Sequence, residues 1–144
     1  MITLRQATSQ DADFVFDVKR QSAESYDDPL WGWEDGEQRD LFRLAFIPEP
    51  VSIIQLAGRD IGVVIIEQNP TYLWLSEIYL LSDYRDHGIG TTLLRNMCAE
   101  ADAKHIPIQL EVRKTNPARH LYERFGFMID GETETYFQMT RLAN

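Results

Sequence analysis

Residues 84–94 read YRDHGIGTTLL. Gly88 and Gly90 flank Ile89, Arg85 lies just upstream, and an apolar stripe of Ile89, Leu93, Leu94, Met97, Cys98 and Ala101 follows at helical spacing. The stretch therefore reads as a loop entering a helix. The first amides of a helix have no intrahelical acceptor, and glycines let a ligand approach the backbone closely. An anion held on those amides is one reading. The other is a tight turn that needs positive φ at both glycines, since a lone GxG pair is not diagnostic.

Better-known glycine motifs do not fit. Leu93 stands where the third glycine of a dinucleotide GxGxxG would fall. The next strand, PIQLEVR at 107–113, runs into Arg113 and Lys114 and not into an acidic ribose ligand. No GxxxxGK[ST] loop is present.

Outward from the loop, the chain alternates strand and helix signals. ITLRQAT opens as a strand, and Ser9 is placed to cap a helix carrying Phe14, Val15 and Val18. Glu37 to Phe46 returns to helical spacing. VSIIQLAG and IGVVIIEQ form a hairpin about Gly58-Arg59-Asp60. YLWLSEIYLL is apolar on both faces, as a central strand is. In NPARHLYERFGF, residues 116–127, Asn116-Pro117 starts a helix and Gly126 ends it. Phe127–Ile129 and Thr135–Leu142 are the last strands. The order is one strand, two helices, three strands, helix, strand, helix, two strands, a mixed α/β fold around one sheet.

The 144 residues suit a single domain, residues 1–144, with a substantial core. A formal net charge of −9 argues against nucleic acid and anionic membrane as partners. The charge is uneven, with residues 1–81 at −8 and residues 82–144 at −1. Neither a membrane-spanning apolar run nor a signal-peptide core is seen, and the single cysteine, Cys98, suits a cytoplasmic setting. Its place in the helical stripe marks it as a buried structural thiol. No Cys/His cluster suggests a metal.

Taken together, R-x-x-G-x-G at Arg85–Gly90 and the Asn116–Phe127 motif resemble the GNAT superfamily of acetyl-CoA-dependent N-acetyltransferases. The element order carries the resemblance from Ile2 to Leu142. It implies a mixed, mostly antiparallel sheet of about seven strands flanked by about four helices. It also implies direct attack of an amine on acetyl-CoA in a ternary complex, with no acyl-enzyme. Arg85 and the Gly88, Ile89, Gly90 and Thr91 amides would then take the pyrophosphate, with the Thr91 hydroxyl as a further donor. His87 stands beside them, as a cation or facing water. Asn116 and Arg119 join the cofactor contacts. The backbone of Ile78, Tyr79 and Leu80 would take the pantetheine arm as an added strand and polarise the acyl carbonyl.

The resemblance makes Tyr122 the acid for the leaving thiolate. A thiol has an ordinary pKa of ~8.5 and a tyrosine one of ~10, so the phenol is still protonated when the sulfur needs a proton. A core tyrosine is the alternative. Glu77 interrupts an apolar strand, on the side of Leu73, Leu75 and Tyr79. A carboxylate there needs a partner or a proton, and it is either the general base, working through water, or a structural hydrogen-bonding group. Glu34 is the reserve base.

The acceptor side rests on YDDPLWGWEDGE, residues 26–37, where carboxylates accompany Trp31 and Trp33. Trp31, Trp33 and Glu34 suit a cationic amine, either a small molecule or a lysine or N-terminal amine of a peptide. The tryptophans read equally as anchors for a long loop. A homodimer is compatible with this reading. A CoA-binding sensor or interaction module without chemistry is the alternative to an enzyme.

Overall fold

The computed structural model describes residues 1–25 and 35–144. Strand β1 (Ile2–Gln6) leads through a 3₁₀ turn into α1 (Ala12–Ser25), and α2 (Asp35–Ala45) follows. Three strands come next: β2 (Val51–Leu56), β3 (Arg59–Gln68) and β4 (Leu73–Leu80). Then come α3 (Ile89–Lys104), β5 (Ile108–Arg113), α4 (Ala118–Arg124), β6 (Met128–Glu132) and β7 (Tyr136–Arg141). The seven strands form one sheet in the order β1-β2-β3-β4-β5-β7-β6. The β4–β5 pair is parallel, while β1–β2, β2–β3, β5–β7 and β6–β7 are antiparallel. The chain is thus the mixed α/β fold expected, with seven strands and four helices among the described residues.

The contacts divide into two compact units, residues 1–65 with 77–85, and residues 66–76 with 86–144. In the first, α1 buries Val15, Phe16 and Val18, while Ile53 and Ile54 of β2 and Ile61, Val63 and Val64 of β3 are equally buried. Phe42 of α2 meets Phe16 edge-on and stacks with Phe46, each at a centroid distance of 5.6 Å. In the second, α3 buries the six apolar residues of its predicted stripe. Leu73, Leu75, Ile108, Leu110, Val112, Phe127 and Met139 complete that core.

Several local readings shift. Thr8, not Ser9, is the helix cap, because Asp11 accepts from the Thr8 amide at 2.7 Å while Thr8 Oγ1 accepts from the Gln10 amide at 3.3 Å. Arg5 of β1 decides this by gripping both Asp11 oxygens, at 2.9 and 2.8 Å. The β2–β3 turn is Ala57-Gly58, both with positive φ (52° and 81°), as a two-residue hairpin of right-handed strands requires. It is one position earlier than Gly58–Asp60. The C-terminus of α4 is a Schellman motif: the Phe127 amide donates to the Tyr122 carbonyl (3.2 Å) and the Gly126 amide to the Glu123 carbonyl (3.1 Å).

Candidate active site

Strand β4 begins fully buried at Leu73 and Leu75 and is half-buried from Ser76 onward. The burial expected on both faces of a central strand is thus full on one face only: Leu73 and Leu75 share it, while Trp74 on the other is half-buried. β5 pairs with β4 in parallel over Leu73, Trp74 and Leu75. Ile78, Tyr79 and Leu80 lie in the half-buried part.

Glu77 is paired. The Lys19 ammonium of α1 sits 2.9 Å from Glu77 Oε2, with the two side chains 19% and 28% exposed. Oε2 itself is closed to solvent, and the ammonium approaches outside the directional limits of a hydrogen bond. Lys19 also lies 5.6 Å from the Phe42 ring centroid. Sequence reasoning missed Lys19 and Phe42, because nothing local on α1 or α2 signals which strand residue they will face.

The glycine loop has one left-handed glycine, not two. Gly88 caps α3 with φ 79° and ψ 6°. Asp86 is left-handed as well (φ 64°), a conformation that its short polar side chain tolerates. Gly90 lies within the first turn of α3, without positive φ. A methyl group added there would meet only Leu121 Cδ2 of α4, at 3.4 Å. The Gly88 carbonyl already receives the Thr92 amide (3.1 Å) and the Thr92 hydroxyl (3.2 Å). Of the two threonines, it is thus Thr92 whose hydroxyl turns back into the helix, and Thr91 remains the candidate donor.

The other candidates are placed as follows. Arg85 Nε donates to the Leu80 carbonyl at 3.1 Å, so the guanidinium is folded back against the end of β4. His87 is exposed. The Ile89 side chain is buried, which leaves only its amide for a ligand. Asn116 Oδ1 accepts from the Ala118 amide at 2.9 Å, making Asn116 the cap of α4. Arg119 lies over the Phe137 ring at 5.1 Å, and Lys114 over the same ring at 5.2 Å. Tyr122 is 5% exposed, with its ring 5.6 Å from that of Phe127. Trp31, Trp33 and Glu34 lie outside the described residues.

Cys98 is buried at 5% exposure, and burial pushes its thiol pKa up, as for a structural cysteine and not a nucleophile. No group of three or more His, Cys, Asp or Glu side chains able to hold a metal is found among the described residues. No helix there is long and apolar enough to cross a membrane.

Comparison with known proteins agrees with this architecture. No curated protein matches the chain. Among solved structures, the chain is similar to the PaiA N-acetyltransferase of Thermoplasma acidophilum in complex with coenzyme A (TM-score 0.75, 19% identity, 99% of each chain covered). It is also similar to the ribosomal-protein-S18-alanine N-acetyltransferase of Escherichia coli (TM-score 0.71, 18% identity, 100% of this chain and 95% of that one). A third is an N-acetyltransferase of Staphylococcus aureus Mu50 (TM-score 0.73, 17% identity, 96% of this chain and 99% of that one). At these identities the likeness is one of fold. The model of the acetyltransferase (GNAT) family matches residues 17–127, most of the chain. The chain belongs to the GNAT acetyltransferase family.

Proposed function

We propose that residues 1–144 work as one N-acetyltransferase domain, moving an acetyl group from acetyl-CoA to an amine in a ternary complex. The observation that carries this reading is Gly90. Glycine in a helix is less favourable than alanine by up to ~1 kcal/mol, though less so in the first turn. Neither backbone angle nor packing demands one here, because a methyl group would make an ordinary contact with Leu121. A bare position beside the free amides of a 16-residue helix suits a ligand that packs against the backbone. The CoA pyrophosphate is that ligand, taken by the Gly88–Thr91 amides.

The chain's own groups then divide the chemistry. Glu77 takes the ammonium proton of the acceptor through water, using Oε1 while Lys19 holds Oε2. The Leu80 amide donates to the thioester oxygen as the amine nitrogen bonds to the acyl carbon. Tyr122 gives its proton to the sulfur as the carbon–sulfur bond breaks, and the second proton that leaves the new amide nitrogen restores the phenol through water. The acceptor is a cationic amine, a small molecule or a lysine or N-terminal amine. The −8 charge of residues 1–81 and the acidic segment 26–37 support that choice. The Lys19–Glu77 pair favours one second reading, a CoA-binding module in which Glu77 is purely structural.

Acetyl-CoA should raise the melting temperature of the protein, and free CoA should appear when a panel of primary amines is added. Gly90→Ala separates the two readings of the glycine loop. It is expected to hold or slightly raise the melting temperature without ligand and to weaken acetyl-CoA binding at least ~tenfold. A purely structural glycine would leave affinity unchanged. No stabilisation of the wild type by acetyl-CoA would overturn the proposal. Tyr122→Phe is expected to lower kcat by ~tenfold or more, with acetyl-CoA affinity within about threefold. Loss of binding instead would make Tyr122 a cofactor contact.

A further inference from the structure

Gly62, in the middle of β3, has an ordinary strand backbone and yet no room for a side chain. A methyl group built on it would fall inside van der Waals contact of the Tyr79 carbonyl oxygen on β4, 2.9 Å from Leu80 Cδ2 and 3.2 Å from Ile54 Cδ1. The first of these is backbone and cannot rotate away. The register of β3 against β2 also slips here, pairing Ile54 with Gly62 and then Gln55 with Asp60, so that Ile61 is an extra residue.

This close approach orients the peptide that follows Tyr79. The Tyr79 carbonyl leans onto β3 over the bare Cα of Gly62. In a trans peptide the N–H points opposite to the C=O, so the Leu80 amide points away from β3. The flanking bonds agree. The Leu80 carbonyl accepts from Arg85 Nε at 3.1 Å, and the Leu81 amide turns back to β3, donating to the Ile61 carbonyl at 2.9 Å. Leu80 thus has its peptide direction set from three sides: Gly62 and Ile61 of β3, and Arg85.

We propose that Gly62 is a positioning residue for acyl transfer: by having no side chain it lets the Tyr79 carbonyl seat on β3 and so aims the Leu80 amide at the acyl oxygen. The inference rests on the acetyltransferase reading above. A donor aimed where charge develops acts mainly on the transition state, so its misalignment falls on kcat and not on ground-state binding.

Gly62→Ala should lower kcat by more than about tenfold and leave KM for acetyl-CoA within about threefold. Wild-type kcat in a folded Gly62→Ala protein would overturn the proposal, and so would an effect confined to KM. Should the variant not fold, the wild type decides the matter by amide NMR. With acetonyl-CoA, a non-transferring ketone analogue, the Leu80 amide proton should move downfield relative to its position with CoA, while the Leu81 amide stays in place. Equal Leu80 shifts with both ligands would overturn the role of Gly62. Absence of any binding or turnover in the wild type would instead overturn the functional reading, and this inference with it.

Discussion

Glu77→Gln is expected to lower kcat about a hundredfold, the low end of what a positioned general base contributes. Acetyl-CoA affinity should stay within about threefold, because the proposed phosphate contacts are the amides at the start of α3. Glutamine keeps the size of the side chain and one acceptor oxygen, while it removes the charge and exchanges the second oxygen for an NH2 donor. The change leaves Lys19 facing a neutral amide at a site where its side chain is 19% exposed, so a small fall in melting temperature should accompany the kinetic effect. Steady-state kinetics with a saturating amine and calorimetric binding of acetyl-CoA together check this. Unchanged kcat would remove Glu77 from the chemistry and leave the Lys19 pair as a structural contact. Lys19→Met is the useful companion. If Lys19 only orients and neutralises Glu77, the double variant should be no slower than Glu77→Gln alone.

Arg141→Met is expected to lower stability by roughly 2–3 kcal/mol, a few degrees or more in melting temperature for a chain of this size. The Arg141 side chain is 8% exposed, and its guanidinium satisfies several groups at once. Nη1 and Nη2 donate to both Asp102 oxygens, at 2.9 and 3.1 Å, and Nε donates to the Phe125 carbonyl at 2.9 Å. It thereby ties the last turn of α3 to the end of α4, while the Asn144 amide joins the same carboxylate at 3.0 Å. Methionine fills much of the volume but leaves the Phe125 carbonyl without this donor and Asp102 without its counter-charge. Asp102 is 30% exposed and can rehydrate, which keeps the loss below that of a fully buried pair.

The pH dependence of this effect has a definite sign. The Arg141 hydrogen bonds hold the Asp102 carboxyl below its ordinary value of 3.8. A depressed folded-state pKa contributes stability that is present above the unfolded pKa and is lost as pH falls through the folded one. The gap in melting temperature between wild type and Arg141→Met should therefore be full at neutral pH and narrow below about pH 4. A gap independent of pH would assign the loss to the Phe125 bond and packing alone.

The buried stripe of α3 was legible because its spacing is set by one helix period, and the core covers those six residues and no others of that helix. The Asn116 cap and the left-handed Gly126 were legible for the same reason, each depending on groups within a few residues of itself. Gly62 drew no separate reading, because an isolated glycine in a strand signals a close approach without saying to what. Even the cap that opens the 3₁₀ turn before α1 moved by one residue, to Thr8, where Arg5 on β1 grips the Asp11 that closes the capping box.

By itself, then, the sequence determined the order of the elements, the buried stripe of α3 and the glycine-flanked start of that helix, where the proposed anion site lies. These follow from local periodicity and from backbone rules that act within one turn. Only the tertiary structure decided that Lys19 faces Glu77, that Arg85 turns to the Leu80 carbonyl and that the Tyr79 carbonyl rests on Gly62. Each joins groups on separate elements or across a turn, where charge and close packing choose the partner once the chain has folded, and no pattern along the chain encodes that choice.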